Sequence, residues 1–358
     1  MPESLVSIII PHFDRSELLG ETLHSLQSQT HSKWEAIIVD DGSSVEHRLG
    51  IRKYTEHDTR IKIVDRHTQP RGPSACRNIG VKTAVGEYLL FLDSDDLLAP
   101  WCLEERLRLT VDHPDFDLWV GQVLLFENAP GDSDRLWNSL TASPVGALDR
   151  FLTAPPPWCV TSPLWRTAAL ENLGGFNPHV VYGDDSDLHL RALASNLRVF
   201  IDPDQLPDAF IRRGPSERIT NTLSPQLLRS RLTRLTEGSQ AVSRLVPEKN
   251  HLWEGQYFVE AEFLLFNVPD AADGIAEVLR KWELHHTPAP IRRMTVRTYF
   301  GLSGWCHKRA YLLLRIARRI VKYLLPRHYF GRANEFQSAA LQPQAMTRLR
   351  ARLAQKRD

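Results

Sequence analysis

Within the first hundred residues, apolar β-branched runs alternate with segments of helical periodicity, and this alternation constrains the fold more than any other feature. Runs with strand character cover residues 5–10, 34–39, 61–64 and 87–92. Helical patterns lie between them, and a helix that connects two strands of one sheet makes those strands parallel. The sequence therefore predicts an α/β domain whose mostly parallel sheet carries helices on both faces.

Polar clusters follow three of these strands, at Pro11–Arg15, Asp40–Ser43 and Asp93–Asp96. Ligands bind beyond the carboxyl ends of the strands in such sheets, so the clusters are candidate site residues. Asp93 and Asp95 are two residues apart and point the same way in an extended chain, so they can converge on one divalent cation. A solvated loop with helix-capping acids explains the same pattern.

Two further clusters suggest chemistry, and each has a purely structural alternative. Gly72–Asn78 opens a helix whose free N–H groups, together with Arg77, suit a phosphate; a capped helix with a surface arginine is the alternative. Gly183–Asp187 offers a carboxylate that could accept a proton from a hydroxyl; acids that complement a helix dipole are the alternative. Pro155–Trp158 is a rigid aromatic connection of the kind found near a binding cleft.

Taken in order, these segments resemble the family 2 glycosyltransferases of the GT-A fold, over roughly residues 5–215. The resemblance is carried by residues 6–11, 38–43, 72–78, 86–96 and 174–188. Each segment alone is weak, but all five in this order are specific. The resemblance implies an inverting, hexosyltransferase-type enzyme that moves a sugar from a nucleotide sugar, with UDP favoured, to a hydroxyl of a glycan or lipid-linked acceptor. It also implies a role in cell-surface polysaccharide or glycoconjugate synthesis.

The resemblance assigns roles to residues of this chain. Asp185 is expected to be the catalytic base, and Asp93 and Asp95 are expected to hold Mg²⁺ or Mn²⁺. The expected donor-binding residues are Pro11, Phe13, Asp40, Asp41, Arg77, Asp93, Ser94 and Arg213, and those on the acceptor side are Asp184, Asp187 and Trp158. Arg212 and Arg218 are further candidates to neutralise the leaving nucleotide, and residues 214–216 suggest a mobile loop. Family members usually have Glu where this chain has the shorter Asp184.

The remainder of the chain is predicted to be helical, and its charge is uneven. We predict a catalytic domain over 1–220, a helical region over 221–290 and a basic helical tail over 291–358. The tail has sixteen Lys and Arg against two acidic residues, a net charge of +14, which leaves −13 for residues 1–290. An amphipathic helix within 307–325 suits either an anionic membrane surface or the acidic body of the protein. No aromatic stacking platform accompanies the charge, so nucleic acid is not an expected partner.

Localisation and competing functions complete the expectations. The scattered Cys76, Cys102, Cys159 and Cys306, and the lack of a signal-like N-terminus or a long apolar run, favour the cytoplasm, with peripheral attachment to the inner face of the membrane as an option. A haloacid-dehalogenase-like phosphohydrolase also has a strand ending in D-x-D, but Leu97 stands where that family needs Thr or Val. A non-catalytic scaffold that binds nucleotide sugars or glycans is the third possibility.

Overall fold

The computed structural model of the chain describes residues 3–67, 69–137, 140, 142–153, 155–213, 224–268, 271–306, 311–330 and 339–355. The chain divides into two compact units. The sheet unit comprises Met1–Ala147, Pro156–Glu217 and Gln337–Asp358, and the helical unit comprises Leu148–Pro155 and Arg218–Phe336. This grouping differs from the predicted three-part division, because the last residues of the chain return to the sheet unit.

A seven-stranded sheet forms the centre of the sheet unit, in the order β3-β2-β1-β4-β8-β6-β9. The first four of these strands are parallel, and β8 runs antiparallel to both of its neighbours. β1 and β2 are almost wholly buried, as their continuous apolar sequences require. The strands are β1 Val6–His12, β2 Trp34–Asp40, β3 Ile61–Asp65, β4 Tyr88–Phe91, β6 Leu118–Val120, β8 Pro163–Arg166 and β9 Val199–Ile201.

A smaller three-stranded sheet, in the order β5-β10-β7, completes this unit. Its strands are β5 Leu97–Leu98, β7 Val123–Phe126 and β10 Ala209–Arg212. The segment 117–126 contributes one strand to each sheet, β6 to the larger and β7 to the smaller, since the chain leaves the pairing at Gly121 and Gln122. Beside this sheet, the Arg106 guanidinium donates two hydrogen bonds to the Asp208 carboxylate, at 2.6 and 2.9 Å, and both side chains are 1% exposed.

Helices connect the strands as the alternating pattern predicts. They are α1 Ser16–Gln27, α2 Val45–Thr55, α3 Pro73–Thr83, α4 Cys102–Asp112, α5 Pro144–Thr153, α6 Thr167–Asn172 and α7 Asp184–Ala194. Helix α3 packs on β1 and β2, and Gly80 permits the close approach because a Cβ atom there would overlap the Ile9 side chain. The first turn of α3 lies beside the polar residues that follow β2, since the Gly72 N–H just before α3 donates to the Asp41 carboxylate.

Five helices make up most of the helical unit: α8 Pro225–Leu245, α9 Asn250–Asn267, α10 Ala272–His286, α11 Pro290–Cys306 and α12 Tyr311–Leu324. Aromatic side chains fill its core, with Phe258 stacked on Tyr299 and edge-on to Tyr329. Its buried carboxylates are paired, since Glu260 accepts from Arg231 at 2.6 Å and Glu254 accepts from Arg292 at 2.7 Å. None of the helices in the described ranges is both long and apolar enough to cross a membrane.

The last helix, α13 Pro343–Ala354, belongs to the sheet unit rather than to a separate tail. Its Met346 and Leu349 are buried in a cluster with Leu124 and Phe126 of β7. The Arg350 guanidinium donates to the Gly131 carbonyl at 2.9 Å. Apolar burial and this hydrogen bond therefore fix α13 against the smaller sheet.

Candidate active site

The polar strand ends lie side by side in the structure. His12, at the end of β1, is paired in register with Asp40 at the end of β2. On the other side of β1, Ile9 pairs with Phe91, two residues before Asp93. The three polar clusters predicted from the sequence are therefore gathered at one edge of the parallel strands, where this type of sheet binds ligands.

Asp40 organises the turn that follows β2. Its carboxylate is 1% exposed, lies 3.1 Å from His12 Nδ1 and accepts hydrogen bonds from the Ser43 hydroxyl and backbone N–H. Burial raises the pKa of Asp40, but the hydrogen bonds from His12 and Ser43 outweigh it and hold the pKa at about 2. Because the oxygens are buried and engaged, the predicted contact of Asp40 with a nucleobase stays a prediction that this burial disfavours.

Asp41, the next residue, lies in the same turn and is less buried than Asp40, with its side chain 16% exposed. It accepts from Arg66 Nε and, at 3.1 Å, from the backbone N–H of Gly72 just before α3. Gly42 follows with a positive φ of 88°, a conformation that favours glycine. Phe13, at the end of β1, is 50% exposed, and Pro11 is partly exposed. Asp41 and Phe13 are therefore the donor-site candidates here that a ligand can reach.

Arg77 joins the two acidic clusters. From α3, its guanidinium donates to Asp93 Oδ1 at 2.7 Å and to Asp184 Oδ2 at 2.5 Å. The side chain is only 5% exposed and lies over the Phe176 ring. The donor-binding role of Arg77 stays a prediction. Because two carboxylates already engage its guanidinium, we interpret Arg77 as a positioning residue between β4 and α7.

The acids at the start of α7 have unusual electrostatics. Asp184 is buried and also accepts from the Ser74 hydroxyl at 3.0 Å; burial raises its pKa despite the opposing effect of Arg77. Asp185 is half-buried, and burial together with the neighbouring Asp184 carboxylate raises its pKa to about 7. A carboxylate with such a pKa can accept a proton near neutral pH, which suits a general base.

The acidic segment after β4 contains the candidate metal ligands. The Asp93 side chain is 43% exposed, whereas Asp95 is 14% exposed and accepts from Arg15 Nη1 at 2.8 Å. Ser94 is buried. Within the described residues no three His, Cys, Asp or Glu side chains form a ready cation site. Asp93 and Asp95 do offer carboxylate oxygens, the donors that Mg²⁺ and Mn²⁺ prefer, and Mg²⁺ is commonly held by one or two carboxylates with substrate phosphates.

The residues predicted on the acceptor side have mainly internal contacts. Trp158 is 1% exposed and packs edge-on to His189, so its ring does not face a cleft in this structure. Asp187 accepts from Arg191 Nε at 2.9 Å, and Arg191 also donates to the Leu173 and Gly175 carbonyls. Through Arg191, Asp187 therefore helps to hold the loop before α7, while Trp158 packs in the interior.

The basic candidates after β10 are partly described. Arg212 donates to the Asp95 carbonyl at 3.1 Å and to Glu21 at 2.6 Å, which ties β10 to the acidic segment. Arg213 is exposed, and its backbone N–H donates to the Phe126 carbonyl. The predicted mobile loop at 214–216 and the candidate Arg218 lie outside the described residues.

Sequence reasoning missed several residues that shape the site. His12 Nε2 accepts from the Arg15 N–H at 3.3 Å, which leaves Nδ1 as the protonated nitrogen that donates to Asp40. Arg15 and Arg66 neutralise Asp95 and Asp41. His12 ends β1 and Arg15 follows it, and both belong to the polar cluster Pro11–Arg15 that the sequence indicates. Nothing in the sequence indicates Arg66.

Comparison with known proteins finds a family for part of the sheet unit. Residues 7–168 match the family model for glycosyl transferase family 2. These residues belong to glycosyl transferase family 2. The family 2 region thus includes β1 to β4, Arg77 and the acidic segment after β4, while α7 lies beyond it.

Curated relatives are similar over the same region. The putative teichuronic acid biosynthesis glycosyltransferase TuaG of Bacillus subtilis is 32% identical over 151 residues, 42% of this chain and 53% of that protein. The UDP-Glc:alpha-D-GlcNAc-diphosphoundecaprenol beta-1,3-glucosyltransferase WfgD of Escherichia coli is 34% identical over 109 residues, 30% of this chain and 42% of that protein. An uncharacterized glycosyltransferase of Rickettsia felis is 38% identical over 106 residues, 30% of this chain and 17% of its own length. The matches thus span from 17% to about half of these relatives.

Among solved structures, S. aureus TarS 1–349 in complex with UDP-GlcNAc is similar with a TM-score of 0.60 and 17% identity, covering 84% of this chain and 88% of that one. A second crystal structure of S. aureus TarS 1–349 has a TM-score of 0.61 and 16% identity, covering 84% of this chain and 87% of that one. This likeness confirms the predicted GT-A fold, with a mostly parallel sheet flanked by helices and a helical C-terminal region.

Proposed function

We propose that the protein transfers a sugar from a nucleotide sugar, with UDP as the nucleotide, to a hydroxyl of a glycan or lipid-linked acceptor, with inversion at the anomeric carbon. The observation that carries this proposal is the continuous chain of contacts from Asp93 through Arg77 to Asp184, next to Asp185. It links the donor end of β4 to a carboxylate whose pKa is about 7. A transferase needs its donor site and its catalytic base at a fixed separation. The base must contact the acceptor hydroxyl next to the donor bond that breaks.

On the donor side, the nucleotide would lie across the ends of β1 and β2. The Asp41 carboxylate is suited to accept an N–H of the base, and the exposed Phe13 ring offers a stacking surface. Pro11 and Arg213 complete the proposed donor contacts, with Asp93 and Ser94 near the ribose and diphosphate. Asp93 and Asp95 would hold Mg²⁺ or Mn²⁺, which when bound supplies positive charge to the diphosphate.

The chemical step uses Asp185 as base. The acceptor hydroxyl oxygen forms a bond to the anomeric carbon while Asp185 takes the hydroxyl proton. The bond from that carbon to the diphosphate oxygen breaks, and its electron pair leaves with the nucleoside diphosphate. Attack opposite the leaving group inverts the anomeric centre. Burial and the Asp184 charge raise the pKa of Asp185 and Arg77 limits that rise, so the carboxylate can bind a proton near pH 7.

The proposed acceptor class rests on the names of relatives. The name of WfgD specifies a GlcNAc-diphosphoundecaprenol acceptor, and another relative is a poly(ribitol-phosphate) beta-glucosyltransferase. We therefore favour a surface polysaccharide or glycoconjugate intermediate as acceptor. Transfer of sugar to a lipid-linked acceptor would take place at the inner face of the membrane, which agrees with the predicted cytoplasmic, peripheral location.

The first experiment measures donor binding by thermal unfolding of the purified chain with a panel of nucleotides and nucleotide sugars, each with Mn²⁺, Mg²⁺ or chelator. A ligand that binds the native state raises the melting temperature. We expect metal-dependent stabilisation by UDP compounds in the wild type and its loss in Asp95→Asn. Asp204→Asn, a change at an exposed loop aspartate, is the matched control. Equal stabilisation of wild type and Asp95→Asn would refute the assigned donor site.

The second experiment separates the competing functions. Release of nucleoside diphosphate that depends on an added acceptor supports transfer. Hydrolysis of simple phosphate esters without sugar transfer would favour the phosphohydrolase, and donor binding without turnover across many acceptors would favour the scaffold. The family 2 match over residues 7–168 already favours transfer over both.

A further inference from the structure

Helix α12 has an apolar face that is wider than the surface it packs against. Ala317, Val321 and Leu325 recur every four residues, and the last two are buried at 6% and 5% exposure. Ile316, Ile320, Tyr323 and Leu324, which we call the outer face, are spaced three and four residues apart and therefore also share one side of the helix. Their exposed fractions are 47%, 54%, 88% and 63%. The sequence left open whether this stripe would enter the core, and the structure leaves half of it outside.

The orientation of α12 is fixed by specific contacts within the helical unit. The Arg318 guanidinium donates two hydrogen bonds of 2.8 Å to the buried Glu262 carboxylate, which also accepts from the Tyr299 hydroxyl at 2.8 Å. Turning the outer face inward would break these charge-assisted bonds and leave Glu262 buried without its cation, a costly change. The exposure of the outer face is therefore built into the packing.

The charge around the outer face indicates what kind of surface it binds. Residues 291–330 contain ten Lys and Arg and no Asp or Glu. Arg319 and Lys322 are exposed on α12 beside the outer face, and Arg327 is exposed just after it. Helix α11, which packs against α12, adds exposed apolar side chains at Ile291 and Met294. Apolar side chains with exposed Lys and Arg beside them match the interface of a bilayer that contains anionic lipid.

We propose that the outer face of α12 docks the protein onto an anionic phospholipid bilayer, with Ile316, Ile320, Tyr323 and Leu324 entering the headgroup boundary. This inference deepens the membrane location in the proposed function, and its test uses neither donor nor acceptor, so a failure of sugar transfer does not affect it. It assigns the contact to α12 and excludes α13, whose apolar residues Met346 and Leu349 are buried.

The test is co-sedimentation of the full chain with vesicles of equal parts phosphatidylglycerol and phosphatidylcholine, compared with phosphatidylcholine alone. We expect binding to the anionic vesicles that weakens with salt. Ile320→Glu should weaken it more than tenfold, since an isoleucine leaves the apolar region and a negative charge opposes the surface. Arg319→Gln with Lys322→Gln should weaken it about 25-fold, at about fivefold for each positive charge. Val111→Glu, at an exposed apolar residue of α4, is the matched control and should bind as the wild type does.

If the outer face binds a second copy of the chain or a phosphate ion instead of a bilayer, the measurements give different results. If the face joins two copies of the chain, Ile320→Glu lowers the mass measured by light scattering while vesicle binding stays unchanged or absent, which overturns the proposal. Displacement of the protein from vesicles by millimolar inorganic phosphate at constant ionic strength would indicate a phosphate site rather than a bilayer contact and would also overturn it. Because all substituted side chains are exposed, we expect circular dichroism melting curves close to that of the wild type.

Discussion

The pH dependence of transfer should report the titration of Asp185. Burial and the Asp184 charge raise the pKa of this carboxylate to about 7, against an ordinary value of 3.8. A base must be ionised to act, so activity is lost as the pH falls through the pKa. With a pKa of about 7, roughly one tenth of the molecules are ionised at pH 6 and nine tenths at pH 8, so the rate should rise nearly tenfold between them. An aspartate with an ordinary pKa would give a flat profile over that range.

The assay is the initial rate of nucleoside diphosphate release at saturating donor, metal and acceptor between pH 5 and 9. Asp185→Asn should retain donor binding and lose transfer by a factor of at least 100–10,000, the usual contribution of a positioned base. Asp204→Asn again serves as control. Arg77→Gln adds a test of the electrostatics: Arg77 lowers the pKa of Asp185, so its removal should move the acidic limb of the profile to higher pH. A flat wild-type profile between pH 5.5 and 8, or a fully active Asp185→Asn, would refute Asp185 as the base.

Three further predictions concern stability. Arg106→Met should lower the free energy of unfolding in urea by about 3–5 kcal/mol, because it leaves Asp208 buried without its cation. Arg108→Met, at an exposed arginine two residues away, should lower it little. Equal losses in the two variants would contradict a stabilising role of the buried ion pair. Asp40 has a folded-state pKa of about 2, below its ordinary 3.8, so its contribution to stability is complete above pH 4 and is lost as the pH falls toward 2. Asp40→Asn should therefore destabilise the protein more at pH 7 than near pH 2. A difference in unfolding free energy that does not depend on pH would argue against an ionised Asp40. Gly80→Ala should destabilise by about 1–3 kcal/mol because its Cβ overlaps the Ile9 side chain, whereas Gly301→Ala, where the Cβ meets open space, should be neutral or stabilising in thermal unfolding.

The sequence predicted the elements that follow from local pattern. β1, β2, β3 and β4 begin and end within a few residues of the predicted runs, because strands buried on both faces are continuous apolar segments. The reversed strand β8 was not predicted, since its pairing with β4 joins residues far apart in the chain. The two-residue β5 is too short to have a pattern.

The same limit applies to the site. The sequence indicated which acidic clusters lie at the strand ends, because position after a strand is a local property. It could not reveal that Arg77 links Asp93 to Asp184, a residue 107 positions away, or that Arg15 lies against Asp95. For that reason the sequence indicates only that Arg77 is suited to phosphate or is a surface arginine. Which acids carry protons depends on burial, which only the tertiary structure defines.

The packing of α13 determines how this protein can be shortened. A chain cut after the helical unit would lose Met346 and Leu349 and would uncover Leu124 and Phe126 in the smaller sheet, whose strand β10 also carries Arg212. Expression fragments designed to remove the basic region would thus damage the fold of the smaller sheet, next to the proposed donor site. An internal deletion that keeps residues 339–355 would instead retain the packing of α13 on the smaller sheet.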